Sequence, residues 1–328
     1  MIVTKTPLRI SFFGGGSDVE AFYSQHGGAV LSTTIDKHIH LAVQQVAQPH
    51  YKIMYSEVEQ VESGSDIKHD RVKEALRYFN IPTGIEIASF ADIPTKGTGL
   101  GSSSAFTAGL VNALADYTSR PMSRYDRAEL ACRIEIEMCG EKIGKQDQYA
   151  STFGGFNFIT FDKNGVDVSP INISSHTMET FSDHLVCFYT GQTRSASTIL
   201  SDQVEKLERK DSDITFFTKE LVDMAHTARA ELRAGRLHNV GALLDDGWRI
   251  KKKLSKNISN PLIDQMYEDA MKAGALGGKL LGAGGGGYLL LFVQRRHQSK
   301  VFEKLKGYQP FYFNFTDKGS SIVYSDNV

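Results

Sequence analysis

The segment Gly99-Leu100-Gly101-Ser102-Ser103-Ser104-Ala105 stands directly before an apolar run, Phe106 to Tyr117, long enough for a helix. That placement constrains the chain more than any other feature. Glycine opens backbone conformations closed to other residues and lets another body approach the main chain. Serine caps helices and offers hydroxyls. The first N–H groups of a helix lack internal partners and carry partial positive charge. Two arrangements satisfy the pattern: a plain turn with a serine N-cap, or a cradle for an anion such as phosphate. It is not a Walker A loop, because no G-x-x-x-x-G-K-[ST] occurs in the chain. Nor is it the protein-kinase glycine loop, because no H-R-D or D-F-G follows.

Composition narrows what such a cradle could serve. The 328 residues suggest two domains. Lys and Arg number 37 against 38 Asp and Glu, a formal charge of −1, which argues against a dedicated nucleic-acid binder. A small-anion site needs only local charge. No apolar run approaches 18 residues, so no membrane span is expected. The start, MIVTKTPLRISFFGGG, lacks the parts of a signal peptide. Cys132, Cys139 and Cys187 have no metal-ligand spacing and leave one unpaired, against a disulfide framework. The expected setting is a reducing cytoplasm. Monomer and homodimer both fit.

Periodicity predicts strands at Ile2 to Phe13, Ala29 to Val46 (one or two), Tyr51 to Val61, Gly84 to Phe90, Phe153 to Phe161, His184 to Tyr189 and Tyr288 to Val293. It predicts helices at Lys68 to Phe79, Arg124 to Gly140, Ser195 to Leu207, Asp213 to Ala234, Leu237 to Leu254 and Pro261 to Ala273. The most polar stretch, Asp162 to Asp183, sets a domain boundary near residue 175, giving 1–175 and 176–328. His38 and His40 share a strand face, more in keeping with two partly exposed histidines than with a metal pair. Trp248, on a helix with Leu243, Leu244 and Leu254, reads as core.

Two further glycine-rich segments matter. In Gly277-Gly278-Lys279-Leu280-Leu281-Gly282-Ala283-Gly284-Gly285-Gly286-Gly287 the spacing G-x-G-x-x-G is met. The dinucleotide fingerprint needs a strand before it and a helix after it. Here a helix is expected before and the strand YLLLFV after, so close backbone packing or a wall beside a ligand fits better. In Pro7-Leu8-Arg9-Ile10-Ser11-Phe12-Phe13-Gly14-Gly15-Gly16-Ser17-Asp18 a strand carries Arg9 into a glycine turn and then an acid.

The three segments in this order resemble the GHMP kinase superfamily of galactokinase, homoserine kinase, mevalonate kinase and phosphomevalonate kinase. PLRISFFGGGSD is similar to its first motif, PTKGTGLGSSSA to a slightly longer form of its second, and KLLGAGGGGYLLLF to its third. Together they span residues 7 to 292. Within the superfamily the sugar C1 kinases fit best. GKQDQY resembles the galactokinase segment that carries the catalytic aspartate. PLRISFFGGGSD, STTIDK and GKQDQYASTFGG are closer still to the D-glycero-D-manno-heptose 7-phosphate 1-kinases, with L-fucokinase-type domains as the nearest rivals. The resemblance implies an α+β fold of two domains. The first would be like domain 2 of ribosomal protein S5 and the second ferredoxin-like, with the active site between them.

It also implies roles. ATP phosphates would lie on Gly99, Leu100, Gly101, Ser102, Ser103 and Ser104, and Mg²⁺ on Ser104 with Glu135. Glu137 lies roughly opposite Glu135 across the helix, so both cannot face one ion. Asp147 would take the proton from the anomeric hydroxyl or orient it, with Arg9 beside it. Asp18 would bind sugar hydroxyls, with Ser17 and Asp36 as weaker candidates and Gly284 and Gly285 as a wall beside the ligand. Arg194, opening a helix after a strand, would meet a 7-phosphate, with Lys37 second. The activity expected is ATP- and Mg²⁺-dependent phosphorylation of a sugar phosphate at C1. The alternatives are another sugar 1-kinase, or a silent relative that only binds sugar.

Overall fold

The computed structural model describes residues 1–94, 97–193 and 196–326. Its first half runs β1 (Ile2–Phe13), α1 (Glu20–His26), β2 (Gly28–Gln45), β3 (Tyr51–Met54), β4 (Val58–Val61), α2 (Asp70–Tyr78), β5 (Ile85–Ala91), α3 (Ser102–Tyr117), α4 (Arg124–Arg133), α5 (Gln146–Phe153), β6 (Phe156–Asp162) and β7 (Gly165–Pro170). The second runs α6 (Ser175–Asp183), β8 (Leu185–Tyr189), α7 (Ala196–Glu208), α8 (Ser212–Arg233), α9 (Leu237–Leu254), α10 (Pro261–Lys272), β9 (Ala275–Leu280), β10 (Tyr288–Val293), α11 (Arg295–Lys304), β11 (Gln309–Pro310), β12 (Phe315–Thr316) and β13 (Ser321–Ser325).

β1 alternates buried and half-buried residues up to Lys5, then is buried continuously from Thr6 to Phe13. Continuous burial needs cover on both faces; α3 and α8 both pack on this strand. α3 is itself buried almost throughout, which explains why its apolar run has no polar stripe. The large sheet is ordered β13-β1-β2-β5-β3-β4, with β6 and β12 also pairing β2 and β7 pairing β6. β1 and β2 are antiparallel, Arg9 opposite Thr34.

The second sheet, β11-β8-β10-β9, is antiparallel and fits the expected ferredoxin-like half. Two features differ from the sequence reading. The C-terminal segment returns to the first sheet, with β13 on β1 and β12 on β2, so the first domain is not one continuous stretch. These strands are too short and exposed to show periodicity. And β9 occupies ALGGKL, read above as glycine-dense sequence after a helix. A Cβ on Gly277 would lie 2.1 Å from the Gly241 carbonyl oxygen, so α9 can lie directly on this strand only because glycine is there. The main core crosses the boundary, joining Phe12 and Phe156 to Phe181, Leu290 and Phe292. Trp248 is 1% exposed, in the second core with Tyr267.

Candidate active site

The end of β1, the start of α3 and the start of α5 converge on one cleft, closed on its other side by α9, β9 and the turn after β9. Its cavity volume is about 910 Å³. At the centre Arg9 grips Asp147 with a fork: Nε donates to Oδ1 at 2.6 Å and an Nη to Oδ2 at 2.5 Å. The other Nη donates to the Gly99 carbonyl at 2.6 Å. The Arg9 main-chain N–H donates to the Leu100 carbonyl. Bidentate pairing of this kind is strong and fixes orientation. Arg9 is buried, whereas the Asp147 carboxylate keeps 21% of its surface. Asp147 lies in the first turn of α5 and both its oxygens go to Arg9.

The glycine loop is pressed against this pair. Gly101 has φ +73°, and a Cβ there would lie 3.2 Å from both the Arg9 guanidinium carbon and Asp147 Oδ2. Gly99, at φ +77°, would put a Cβ 2.3 Å from the Leu281 carbonyl oxygen, so the loop also touches the second domain. No side chain caps the α3 N-terminus at Gly101, and Gly101 to Ser104 line the cleft. The anion-cradle geometry is therefore present. Leu100 is an exception among the expected loop residues: its side chain is fully buried and it does not line the cavity.

Behind Ser104 lies a buried acid. The helix after α4 widens into a π-helical turn, Ile134–Met138, a form frequent at functional sites. Glu135 points inward and is fully buried, while Glu137 is exposed beside Arg133. Arg71 Nε and Thr107 Oγ1 donate to Glu135 Oε1 at 2.8 and 2.9 Å, and Gln148 Nε2 donates to Oε2. Arg71 also donates to Glu141 at 2.8 Å. A carboxylate and a hydroxyl suit a hard dication, so Ser104 and Glu135 have the right donor chemistry for Mg²⁺. In this structure Arg71 neutralises Glu135, and an ion would compete with it.

Asp18 lines the cleft, yet three donors already hold it: Gly16 N–H, Gln146 N–H and Gln146 Nε2, all at 3.0 to 3.1 Å. Burial pushes its carboxyl up and the charge of Asp147 adds to this, against the pull of the Gln146 and Gly16 N–H groups. It ties the Gly14–Gly16 turn to the chain entering α5, and one acceptor direction remains of about four.

Several expected contacts lie elsewhere. Ser17 is fully buried outside the cavity, its hydroxyl donating to Gly14 and accepting from Ala29 N–H. Asp36 accepts from Asn314 N–H, Asn314 Nδ2 and Lys37 Nζ. Burial would raise its pKa, but these bonds hold it below the usual carboxylate range. Asp36 thus clamps the returning C-terminal segment, with Lys37 paired to it. Gly284 and Gly285 pack on Ile258: a Cβ on Gly284 would lie 2.7 Å from its Cα, and Gly285 N–H donates to its carbonyl. The cleft wall is made by Gly282 and Ala283 instead. Arg194 lies outside the described residues. His38 and His40 share a face as expected, joined by Asp92 in a group whose ligand atoms lie within 4.8 Å of one another.

Sequence reasoning missed two groups. Tyr55, His69 and Phe106 line the cleft together, His69 stacked on Phe106 at 4.9 Å and edge-on to Tyr55 at 4.8 Å. Burial lowers the His69 pKa, favouring the neutral ring. Phe90, 64% exposed, flanks them. Lys251 and Lys279 also reach the cleft, from α9 and β9. A lysine on an expected helix facing apolar neighbours was the available signal for Lys251.

The fold and the site define a two-domain phosphotransferase. Residues 69–155 match the GHMP kinases N terminal domain, and residues 228–309 the GHMP kinases C terminal domain. The chain is 32% identical to the D-glycero-alpha-D-manno-heptose 7-phosphate kinase of Campylobacter jejuni, over 97% of each protein. It is 26% identical to the bifunctional fucokinase/GDP-fucose pyrophosphorylase of Arabidopsis thaliana, covering 90% of this chain and 30% of that one. The crystal structure of a D-glycero-D-manno-heptose 1-phosphate kinase from Bacteroides thetaiotaomicron superposes with a TM-score of 0.81 at 25% identity, covering 99% of this chain and all of that one. The chain belongs to the GHMP kinase family. No helix among the described residues is long and apolar enough to cross a membrane.

Proposed function

We propose that this kinase transfers the γ-phosphoryl group of Mg-ATP to the C1 hydroxyl of D-glycero-D-manno-heptose 7-phosphate, giving the 1,7-bisphosphate. The observation that carries the reading is the Arg9–Asp147 fork held against the uncapped N-terminus of α3. Phosphoryl transfer needs donor and acceptor in line and the developing charge neutralised, with little covalent work by the protein. The amides of Gly101 to Ser104 cradle the ATP phosphates. Tyr55, His69 and Phe106, with Phe90, offer an apolar, aromatic surface for the base. Asp147 accepts the proton of the anomeric hydroxyl through the lone pairs that Arg9 leaves open. Arg9 fixes the orientation of that carboxylate through its fork and stands beside the phosphoryl group. Asp18 holds the turn on which the sugar rests, with one acceptor direction left for a sugar hydroxyl. Ser104 and Glu135 would hold Mg²⁺, which would offset the charge of the ATP phosphates. The name of the Campylobacter relative supports the 7-phosphate and the α-anomer.

ADP release with Mg-ATP is the test. The acceptor panel holds D-glycero-D-manno-heptose 7-phosphate, the corresponding 1-phosphate, free fucose, galactose and mannose, and mevalonate. Turnover confined to the 7-phosphate is expected. Turnover on a free sugar instead would discard the proposed acceptor. Sugar binding by calorimetry without any turnover would mark a silent relative.

A further inference from the structure

Lys279 is a buried lysine and Lys251 a half-buried one, and nothing in the phosphate loop or the Asp147 pair uses either. They come from different elements, α9 and β9, and both line the cleft beside Arg9. The Lys251 amine donates to the carbonyls of Leu280 (3.1 Å) and Gly282 (2.5 Å), and the Lys279 amine to that of Phe12 (2.8 Å). Among the described residues neither makes an ion pair within 4.0 Å. The two carboxylates of this part of the cleft are already held: Asp147 by Arg9, and Asp18 by Gln146 and Gly16. Other acids on α9 face away, Asp245 pairing with Arg249.

An ammonium carries three donors. Lys251 uses two and Lys279 one, so three N–H groups of the pair have no hydrogen-bond acceptor among the described residues. A buried charge without a partner is costly, and here two stand near a third. Burial lowers Lys251 to about 7, with repulsion from Arg9 adding to it. Burial also drives Lys279 well below the usual lysine range, followed by repulsion from Lys251 and Arg9. An anion would relieve all three at once. The carbonyl of Phe12 lies next to Phe13 and the Gly14–Gly16 turn, which line the cleft with Asp18. The aromatic group proposed for the base comes instead from the residue after β3, the N-cap of α2, and α3.

We propose that Lys251 and Lys279, with Arg9, form a phosphate subsite at the end of the cleft walled by β1, α9 and β9. Its ligand is a phosphate monoester. On the proposed function, that group is the phosphate the acceptor already carries, and this assignment of source rests on that reading; the subsite does not.

The test uses K251M and K279M in the full chain, with inorganic phosphate and the heptose 7-phosphate as probes. Replacing an unpaired buried cation by an apolar side chain of similar length leaves no charge to bury, so folding is expected. Millimolar inorganic phosphate should raise the melting temperature of the wild type, and each variant should lose most of that rise. The KM for the sugar phosphate should increase at least about tenfold, with the KM for ATP within about twofold, and K279R should recover part of the loss. A fall in kcat at unchanged KM values would keep the subsite but give it the transferred phosphoryl group. A wild type that turns over no sugar phosphate yet shows lysine-dependent phosphate stabilisation would end the acceptor reading and leave the subsite standing. Variants that fold and keep the phosphate response and all three constants within twofold would overturn it. Should neither variant fold, calorimetry on the wild type decides: inorganic phosphate that competes with the heptose 7-phosphate supports the subsite, and phosphate that competes only with ATP overturns it.

Discussion

Residues 97–104 and 282–287 are both glycine-rich, and both close on the same cleft, yet they do opposite work. In the first, the chain enters a helix directly, so main-chain N–H groups are left facing the cleft while the loop's back rests on Arg9 and Asp147. In the second, the chain turns between two strands, and the glycines let protein backbones touch. Gly284 meets Ile258, Gly286 meets Gln192, and Gly287 meets Thr98. Glycine therefore marks a close approach. What does the approaching, ligand or protein, is set by the element that follows. The two loops even touch one another, Gly282 against Gly99, so the second loop fixes the position of the first.

The sharpest test of that contrast is the pair on which the first loop rests. Asp147→Asn keeps the shape and removes the charge, and kcat should fall roughly 10²–10⁴-fold with the KM for ATP little changed. An effect below tenfold in steady-state ADP release would reduce Asp147 to a positioning residue. Next, Gly101→Ala and Gly284→Ala should separate the loops. The first pushes a methyl against Arg9 and Asp147 at a positive φ and should lower kcat/KM by about tenfold or more, equivalent to roughly 1.4 kcal/mol. The second should leave the KM for ATP alone and cost roughly 1–3 kcal/mol of stability, read from urea melts. Equal kinetic effects from both would erase the distinction.

Glu135→Gln addresses the acid behind the first loop. If Mg²⁺ displaces Arg71, half-saturation by Mg²⁺ should rise about tenfold, within the range seen when a group supporting a metal is lost. Lower stability with an unchanged Mg²⁺ titration would instead assign Glu135 to Arg71 alone. The smallest effect concerns the amine beside the second loop. Lys251 is held near 7, below its value of about 10.4 in an unfolded chain. The unfolded chain therefore binds more protons above pH 7, and stability of the ligand-free protein should rise from pH 7 to 9. K251M should flatten that rise in urea midpoints by about 1 kcal/mol per pH unit or less.

Much of the site was legible because its chemistry is local. Arg9 on a strand before a glycine turn, three serines at a helix start, and Asp147 just inside another helix are each stated by a few adjacent residues. The resemblance's spacing to Asp147 favoured Glu135, helix geometry said only that Glu135 and Glu137 cannot face one ion, and the structure turns the first inward and the second to solvent. What misled was equally local. Ser17, Asp36, Lys37, Gly284 and Gly285 sit in motif-like words, but their partners are Gly14 and Ala29, Asn314, and Ile258. A short word cannot say whether its polar atoms will be satisfied by a ligand or by a remote stretch of the same chain.

The sequence by itself determined the helix that opens after Gly101 and the apolar runs that build β1 and β2, while its family resemblance pointed to Arg9, Asp147 and Glu135. These depend on backbone conformation and periodicity, which neighbours dictate. Only the tertiary structure decided that β13 returns to β1, that His69 stacks on Phe106, and that Lys251 and Lys279 meet beside Arg9. Those are contacts between residues far apart in the chain. The last of these exists because α9 is let down onto β9 by glycine, and the resulting burial lowers the pKa of two ordinary lysines that face the cleft with no ion-pair partner among the described residues.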